Sequence, residues 1–189
     1  MRSGPVTPER VLLDANVLFP TVLREMLIGT ARRGGFVPLW SPRILEEWAR
    51  ATRRLPSGAE AIARAEIALL RADWPGAEVT PPDALIAGLD LPDADDRHVL
   101  AAAITGGATA LLTLNRADFP GWRLAAHGIQ RREPDGFLLE LWHAGTDLRA
   151  VAAEVRARAE RAGGQPRDLR PLLKRAGLPR LAKALEASG

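Results

Sequence analysis

The stretch LPDADDRHVLAAAI, residues 91–104, sets three aspartates, Asp93, Asp95 and Asp96, directly before a small apolar helix. One carboxylate is enough to cap a helix start, and three so close repel one another. Other acids stand at comparable places. Asp14 ends the aliphatic run of RVLLDANVLF, Asp118 follows TALLTL with Thr113 and Asn115 between, and Glu46 and Glu47 lie in SPRILEEWARATRRL. Gathered at one place, such groups cost too much unless a cation neutralises them, and hard oxygen donors suit Mg²⁺ or Mn²⁺. A soft-metal site is disfavoured, because the chain has no cysteine and its histidines, His98, His127 and His143, are widely scattered.

Those acids need elements to bring them together. RVLL reads as a strand ending at Asp14, FVPLW as a second and TALLTL as a third, with a short one at GIQ. Between them, residues 18–31 have helical length. SPRILEEWARATRRL starts as a helix, with a Ser41 cap and Pro42 in its first turn. Residues 58–72 and 95–105 read as further helices, 75–92 as loop around one short strand and turn, and Asp135 as the cap of a helix running to Trp142. After Gly145 come two or three short amphipathic helices, with Leu148, Val151 and Val155 on one stripe. Strands alternating with helices predict an α/β fold with a mainly parallel central sheet and a C-terminal helical extension, divided as residues 1–145 and 146–189.

In such sheets function gathers at the carboxyl ends of the strands. Asp14 and the pair Asn115 and Asp118 end strands there, and the helix near Asp95 opens on the same edge. Helical phase chooses among neighbours. Asp96 points with the buried stripe of Val99, Leu100 and Ala103, which leaves Asp95 as the cap and Asp93 as a loop acid. Glu47 flanks the apolar stripe of its own helix, while Glu46 faces water. His98 reads as lying on the solvated side.

Composition narrows the class. The chain has 189 residues, 47% hydrophobic and 26% charged, ordinary values for one globular domain. No apolar run is long enough for a membrane span, and no hydrophobic core follows the arginine of MRSGPVTPER, so the chain reads as lacking a secretory signal. The absence of cysteine fits a reducing cytoplasm. Residues 1–120 carry 13 basic and 15 acidic side chains, and residues 121–189 carry 13 and 8, nearly all the cations being arginine. An acidic body with a basic tail could suit a polyanion near metal-loaded carboxylates, but charge alone favours an ordinary solvated surface.

Taken together, VLLDANVLFP, SPRILEEW, LPDADDRHVLAAAI and LLTLNRADFP resemble, in order and spacing over about residues 10–145, the PIN-domain family of metal-dependent ribonucleases. The resemblance is strongest to the VapC-type toxins of toxin–antitoxin pairs. It implies a three-layer α/β/α fold and hydrolysis of RNA phosphodiester bonds by a carboxylate-bound Mg²⁺ or Mn²⁺ cluster. The implied first acid is Asp14, with Asn16 beside it as support. The second is Glu47, six residues after Ser41, and the third is Asp96. In many relatives a fourth acid stands two residues after the threonine that ends the strand. Here Thr113 is followed at that place by Asn115, so the fourth position falls to Asp118 or, through a water, to Asn115.

The implied partners are an RNA substrate, an antitoxin protein and a second copy of the chain, with no membrane. Arg149, Arg156 and Arg161 of the tail can contact RNA backbone, pack on a partner or simply cap the sheet. An aspartyl phosphatase is disfavoured: it needs a second aspartate where Asn16 stands, and a lysine that does not occur before Lys174. A PIN-fold module that binds RNA or protein without cleaving is the alternative kept open by Asn115.

Overall fold

The protein is described by a computed structural model over residues 8–187; most of the segment read above as lacking a secretory signal lies outside them. Its centre is β1 (Arg10–Leu13), whose Val11, Leu12 and Leu13 are fully buried, as expected for a strand covered on both faces. β1 pairs in parallel with β2 (Val37–Leu39) on one side and β3 (Ala110–Leu112) on the other. β4 (Gln130–Arg132) adds to β3, giving the all-parallel order β2-β1-β3-β4.

The helices are α1 (Ala15–Leu18), α2 (Thr21–Arg32), α3 (Pro42–Ala51), α4 (Ala59–Asp73), α5 (Asp83–Gly88), α6 (Arg97–Thr105), α7 (Gly121–Ala125), α8 (Pro134–His143), α9 (Leu148–Gly163), α10 (Leu169–Arg175) and α11 (Pro179–Ala187). They flank the sheet in a three-layer α/β/α arrangement. No described helix is long and apolar enough to cross a membrane.

Three local expectations are corrected. The apolar run 18–31 is not one helix: Pro20, in an extended conformation, separates α1 from α2. The stretch 75–92 carries α5, and its only strand-like feature is a single bridge between Trp40 and Glu78. Asp135 does not cap its own helix. Its carboxylate accepts hydrogen bonds from the backbone N–H groups of Arg180 and Leu181, both at 3.0 Å, and so caps α11.

The last three helices share the core of the sheet. Leu148, Val151, Ala152 and Val155 are buried in one cluster with Leu12, Leu173 and Leu181. α9 lies so close to α2 that a Cβ on Gly29 would stand 2.6 Å from Val151 Cγ1. Glycine at 29 is what lets the two helices approach.

Candidate active site

β2 lies to one side of β1, while β3 and β4 lie to the other, so a crevice opens at the carboxyl ends of β1 and β3. The pairing of Leu13 with Leu112 brings the next residues, Asp14 and Thr113, side by side, and Asp14 N–H donates to the Leu112 carbonyl at 3.1 Å.

Asp14 is almost wholly buried, and its carboxylate is held from both sides. Thr113 Oγ1 donates to Oδ2 at 2.7 Å, Asn16 Nδ2 donates to the same oxygen at 2.7 Å, and the Ala15 N–H donates to Oδ1 at 2.7 Å. Asn16 Oδ1 in turn accepts from the Leu114 N–H at 3.0 Å, tying the loop after β3 to the loop after β1. Burial pushes the Asp14 carboxyl above its ordinary value. The Thr113 and Ala15 hydrogen bonds oppose the shift, and the nearby charge of Glu47 adds to it.

The helix read over 95–105 starts only at Arg97: Asp96 ends a 3₁₀ turn, Ala94–Asp96, directly before α6, is half-buried and lies against Asn115 at the crevice. Its carboxyl is raised to about 6, first by burial and then by the charges of Asp14, Asp93 and Asp118. Asp118 reaches the same place from the loop after β3. Asn115 links them: its Nδ2 donates to Asp96 Oδ2 at 3.2 Å and to Asp118 Oδ2 at 2.7 Å, while its Oδ1 accepts from the Asp118 N–H at 3.2 Å. One carboxylate oxygen from each of Asp93, Asp96 and Asp118 lies within 4.8 Å of the others. The amide of Asn115 thus supplies partial positive charge where Asp96 and Asp118 converge.

Two assignments within LPDADDRH are reversed. Asp93, read as a loop acid, is both the local cap, accepting from the Asp95 N–H at 2.9 Å, and a member of the acidic group. Asp95, read as the cap, projects into solvent with its side chain 93% exposed.

Glu47 approaches from α3, and here the reading of His98 is corrected. His98 is buried rather than solvated, and its Nε2 lies 2.9 Å from Glu47 Oε1, an oxygen that Arg43 Nε also meets at 3.2 Å. α6 is apolar nearly all round, and such a helix is buried on every side. That was the available signal: it overrides the phase of one polar residue. Glu46 turns away to Arg50 and Arg64, which hold its carboxyl down at about 2.

A family model for the PIN domain matches residues 10–117, the segment that delivers Asp14, Glu47, Asp96 and Asn115. The chain belongs to the PIN-domain family. No curated protein and no solved structure matches it. PIN domains are generally nucleases, and the crevice of this one has the donors that such chemistry needs. The acidic cluster offers oxygen alone, with neither histidine nor cysteine in it, which fits a hard divalent cation. The upward shifts at Asp14 and Asp96 come first from burial and then from neighbouring carboxylates, and added positive charge would relieve both.

Proposed function

We propose that this PIN domain is a metal-dependent endoribonuclease that hydrolyses RNA phosphodiester bonds. The observation that carries the reading is the meeting of Asp14, Asp96 and Asp118, from three separate segments, at the crevice between the carboxyl ends of β1 and β3.

Asp96 and Asp118, with Asp14 behind them, would hold Mg²⁺ or Mn²⁺. Asp93 offers one further oxygen. The chemistry such an ion supplies is acidification of the attacking water and neutralisation of charge on the departing oxygen. Thr113 and Asn16 fix the Asp14 carboxylate in one orientation and keep it from turning toward the core. Glu47, held through Oε1 by His98 and Arg43, orders water at the edge of the cluster. Asn115 keeps Asp96 and Asp118 together when they carry like charge. No histidine faces the cluster as a free base, because His98 is committed to Glu47.

The toxin of a toxin–antitoxin pair, acting in the cytoplasm and bound by an antitoxin or a second copy of the chain, is the biological setting that best suits a chain resembling that branch. A PIN-fold module that binds RNA or protein without cutting is the second reading. It is favoured by Asn115, an amide where many relatives carry a fourth acid.

The deciding experiment is cleavage of tRNA and single-stranded mRNA by the purified protein with Mg²⁺, with Mn²⁺ and with chelator. Cleavage that needs the metal and disappears in Asp14→Asn and Asp96→Asn supports the nuclease. Cleavage that survives chelation and both substitutions would end this reading, and RNA binding without cleavage would favour the module.

A further inference from the structure

The last two helices form a hairpin outside the segment that the family model matches. α10 ends in a short turn, Ala176, Gly177 and Leu178, and α11 begins at Pro179. Gly177 has a φ of +80°, its N–H donates to the Lys174 carbonyl at 3.1 Å, and the Leu178 N–H donates to the Leu173 carbonyl at 3.0 Å. A glycine in that left-handed conformation stops α10 and turns the chain at once into α11. Leu172, Leu173, Leu178, Leu181 and Leu185 are buried, and α11 packs on α10 and α8. A tight turn with a glycine between two short helices is the connection of a helix-turn-helix.

The outward side of this hairpin is basic. Lys174 and Lys183, the only lysines of the chain, both lie on it, together with Arg175 and Arg180. All four are exposed, and none of their side chains makes an ion pair or hydrogen bond to another described residue. Elsewhere the cations are mostly engaged. Arg24, Arg32, Arg43, Arg50, Arg64 and Arg71, on α2, α3 and α4, are all tied to carboxylates. In the extension itself Arg156 pairs with Glu160 and Arg149 donates to the Leu185 carbonyl. At about 100° per residue, Arg180, Lys183 and Ala187 fall within about 60° of one another, opposite the buried Leu181, Ala182 and Leu185. Glu186 lies off that face and is held by Arg170. The first N–H groups of α11 are taken by Asp135, so an anion arriving here meets side chains.

We propose that the α10–α11 hairpin docks on duplex DNA. The face of α11 that carries Arg180, Lys183 and Ala187 turns into the major groove, and Lys174 and Arg175 meet the flanking phosphates. Cations without acidic partners, grouped between residues 174 and 183, complement a polyanion. Charge does not choose between polyanions, but shape does. An α-helix fits the major groove of B-form DNA, about 12 Å wide, whereas the A-form groove of duplex RNA is too narrow and deep to be read. In a helix-turn-helix the second helix enters that groove while the first crosses the backbone, the places that α11 and α10 take here. None of the crevice acids is involved, so the inference stands or falls apart from the nuclease reading.

The test is fluorescence anisotropy of a labelled random-sequence DNA duplex, of the RNA duplex of the same sequence and of single-stranded RNA. It is read over a salt series in chelator, so that nothing is cut. Wild type is expected to bind the DNA duplex more tightly than either RNA. With one phosphate met by each of the four cations, the slope of log K against log salt should be about −3.6. Lys183→Ala should weaken DNA binding about threefold and make the slope shallower by about 0.9. Arg180→Ala combined with Lys183→Ala should weaken it about tenfold, with a change in slope of about 1.8. The melting temperature should stay the same, because both side chains are exposed and unpaired. Methyl green, which fills the major groove, should compete with the protein, and netropsin, which fills the minor groove, should not. DNA affinity and slope untouched by the substitutions overturn the proposal. Equal or tighter binding of either RNA, lost in the same variants, also overturns it and makes the hairpin an RNA contact. Competition by netropsin in place of methyl green overturns the placing of α11 in the major groove. Cleavage of RNA with Mn²⁺ is scored separately. A protein that never cuts yet binds DNA through Lys183 defeats the nuclease reading alone, and one that cuts without binding DNA defeats the hairpin alone.

Discussion

His98 Nε2 lies 2.9 Å from Glu47 Oε1, so that a buried imidazole on α6 fixes an acid on α3 that is more than a third exposed. Because Arg43 meets the same oxygen, Oε1 is committed and Oε2 is left for water or an ion at the crevice. Supports of this kind set the orientation of the acids they hold, and losing one typically costs about tenfold to a hundredfold in metal affinity or activity. His98→Ala is expected to fall in that range in Mn²⁺ titration and in cleavage, with His98→Gln recovering part through its amide donor. Full metal affinity and activity in His98→Ala would make the contact a packing feature alone.

The raised carboxyls give the pH dependence a definite sign. Asp96 is lifted from 3.8 to about 6, so between those values the folded chain keeps a proton that the unfolded chain has released. Its contribution to the stability of the metal-free protein therefore falls as pH rises through that window, and the shift at Asp14 acts in the same direction. Asp96→Asn should stabilise the metal-free protein at pH 7 and flatten its melting profile between pH 4 and 7. In wild type the stabilisation given by Mn²⁺ at pH 7 should vanish below about pH 6, and cleavage should drop about tenfold per unit there as protons displace the ion. A flat melting profile together with an unchanged rate at pH 5 would contradict both expectations.

Asn115 donates to Asp96 and Asp118, and exchanging the amide for a carboxylate turns two attractions into two repulsions. Asn115→Asp is thus expected to lower the melting temperature of the metal-free protein. With one more anionic donor at the cluster it should also bind Mn²⁺ more tightly, by about tenfold. Calorimetric titration and melting with and without Mn²⁺ read the two effects separately. Weaker metal binding in this variant would move the cation away from Asn115.

The approach of α2 to α9 depends on Gly29. A methyl there meets Val151 at 2.6 Å, inside a well-packed core. Gly29→Ala should destabilise by about 1–3 kcal/mol in urea unfolding, the usual range for overpacking. The double variant with Val151→Ala should recover part of the loss. Additive losses in the pair would show that the helices are not held by this contact.

The sequence by itself determined the periodicities and the chain order of the acids. Short apolar runs gave the strands and their sequence in the fold, and RVLLDANVLF and LLTLNRADFP located the strand ends where Asp14, Asn115 and Asp118 stand. Helical phase turned Glu46 away, because a 100° step is a local property that needs no partner; Asp96 lies in the 3₁₀ turn before α6, where that step does not apply, and its contact with Asn115 is tertiary. What only the tertiary structure decided were contacts between segments far apart. Pro20 broke a helix that apolar length suggested. Asp135 capped α11, more than forty residues ahead, instead of its own helix. His98 was buried because α6 is enclosed on all sides; the apolar character of the helix signalled that burial, but the partner of the imidazole, Glu47 on α3, followed only from how the two helices pack. The exchange of roles between Asp93 and Asp95 has the same origin. Which of two neighbouring carboxylates bonds the backbone and which meets water follows from how the turn before α6 sits against the loop after β3, and no local spacing encodes that.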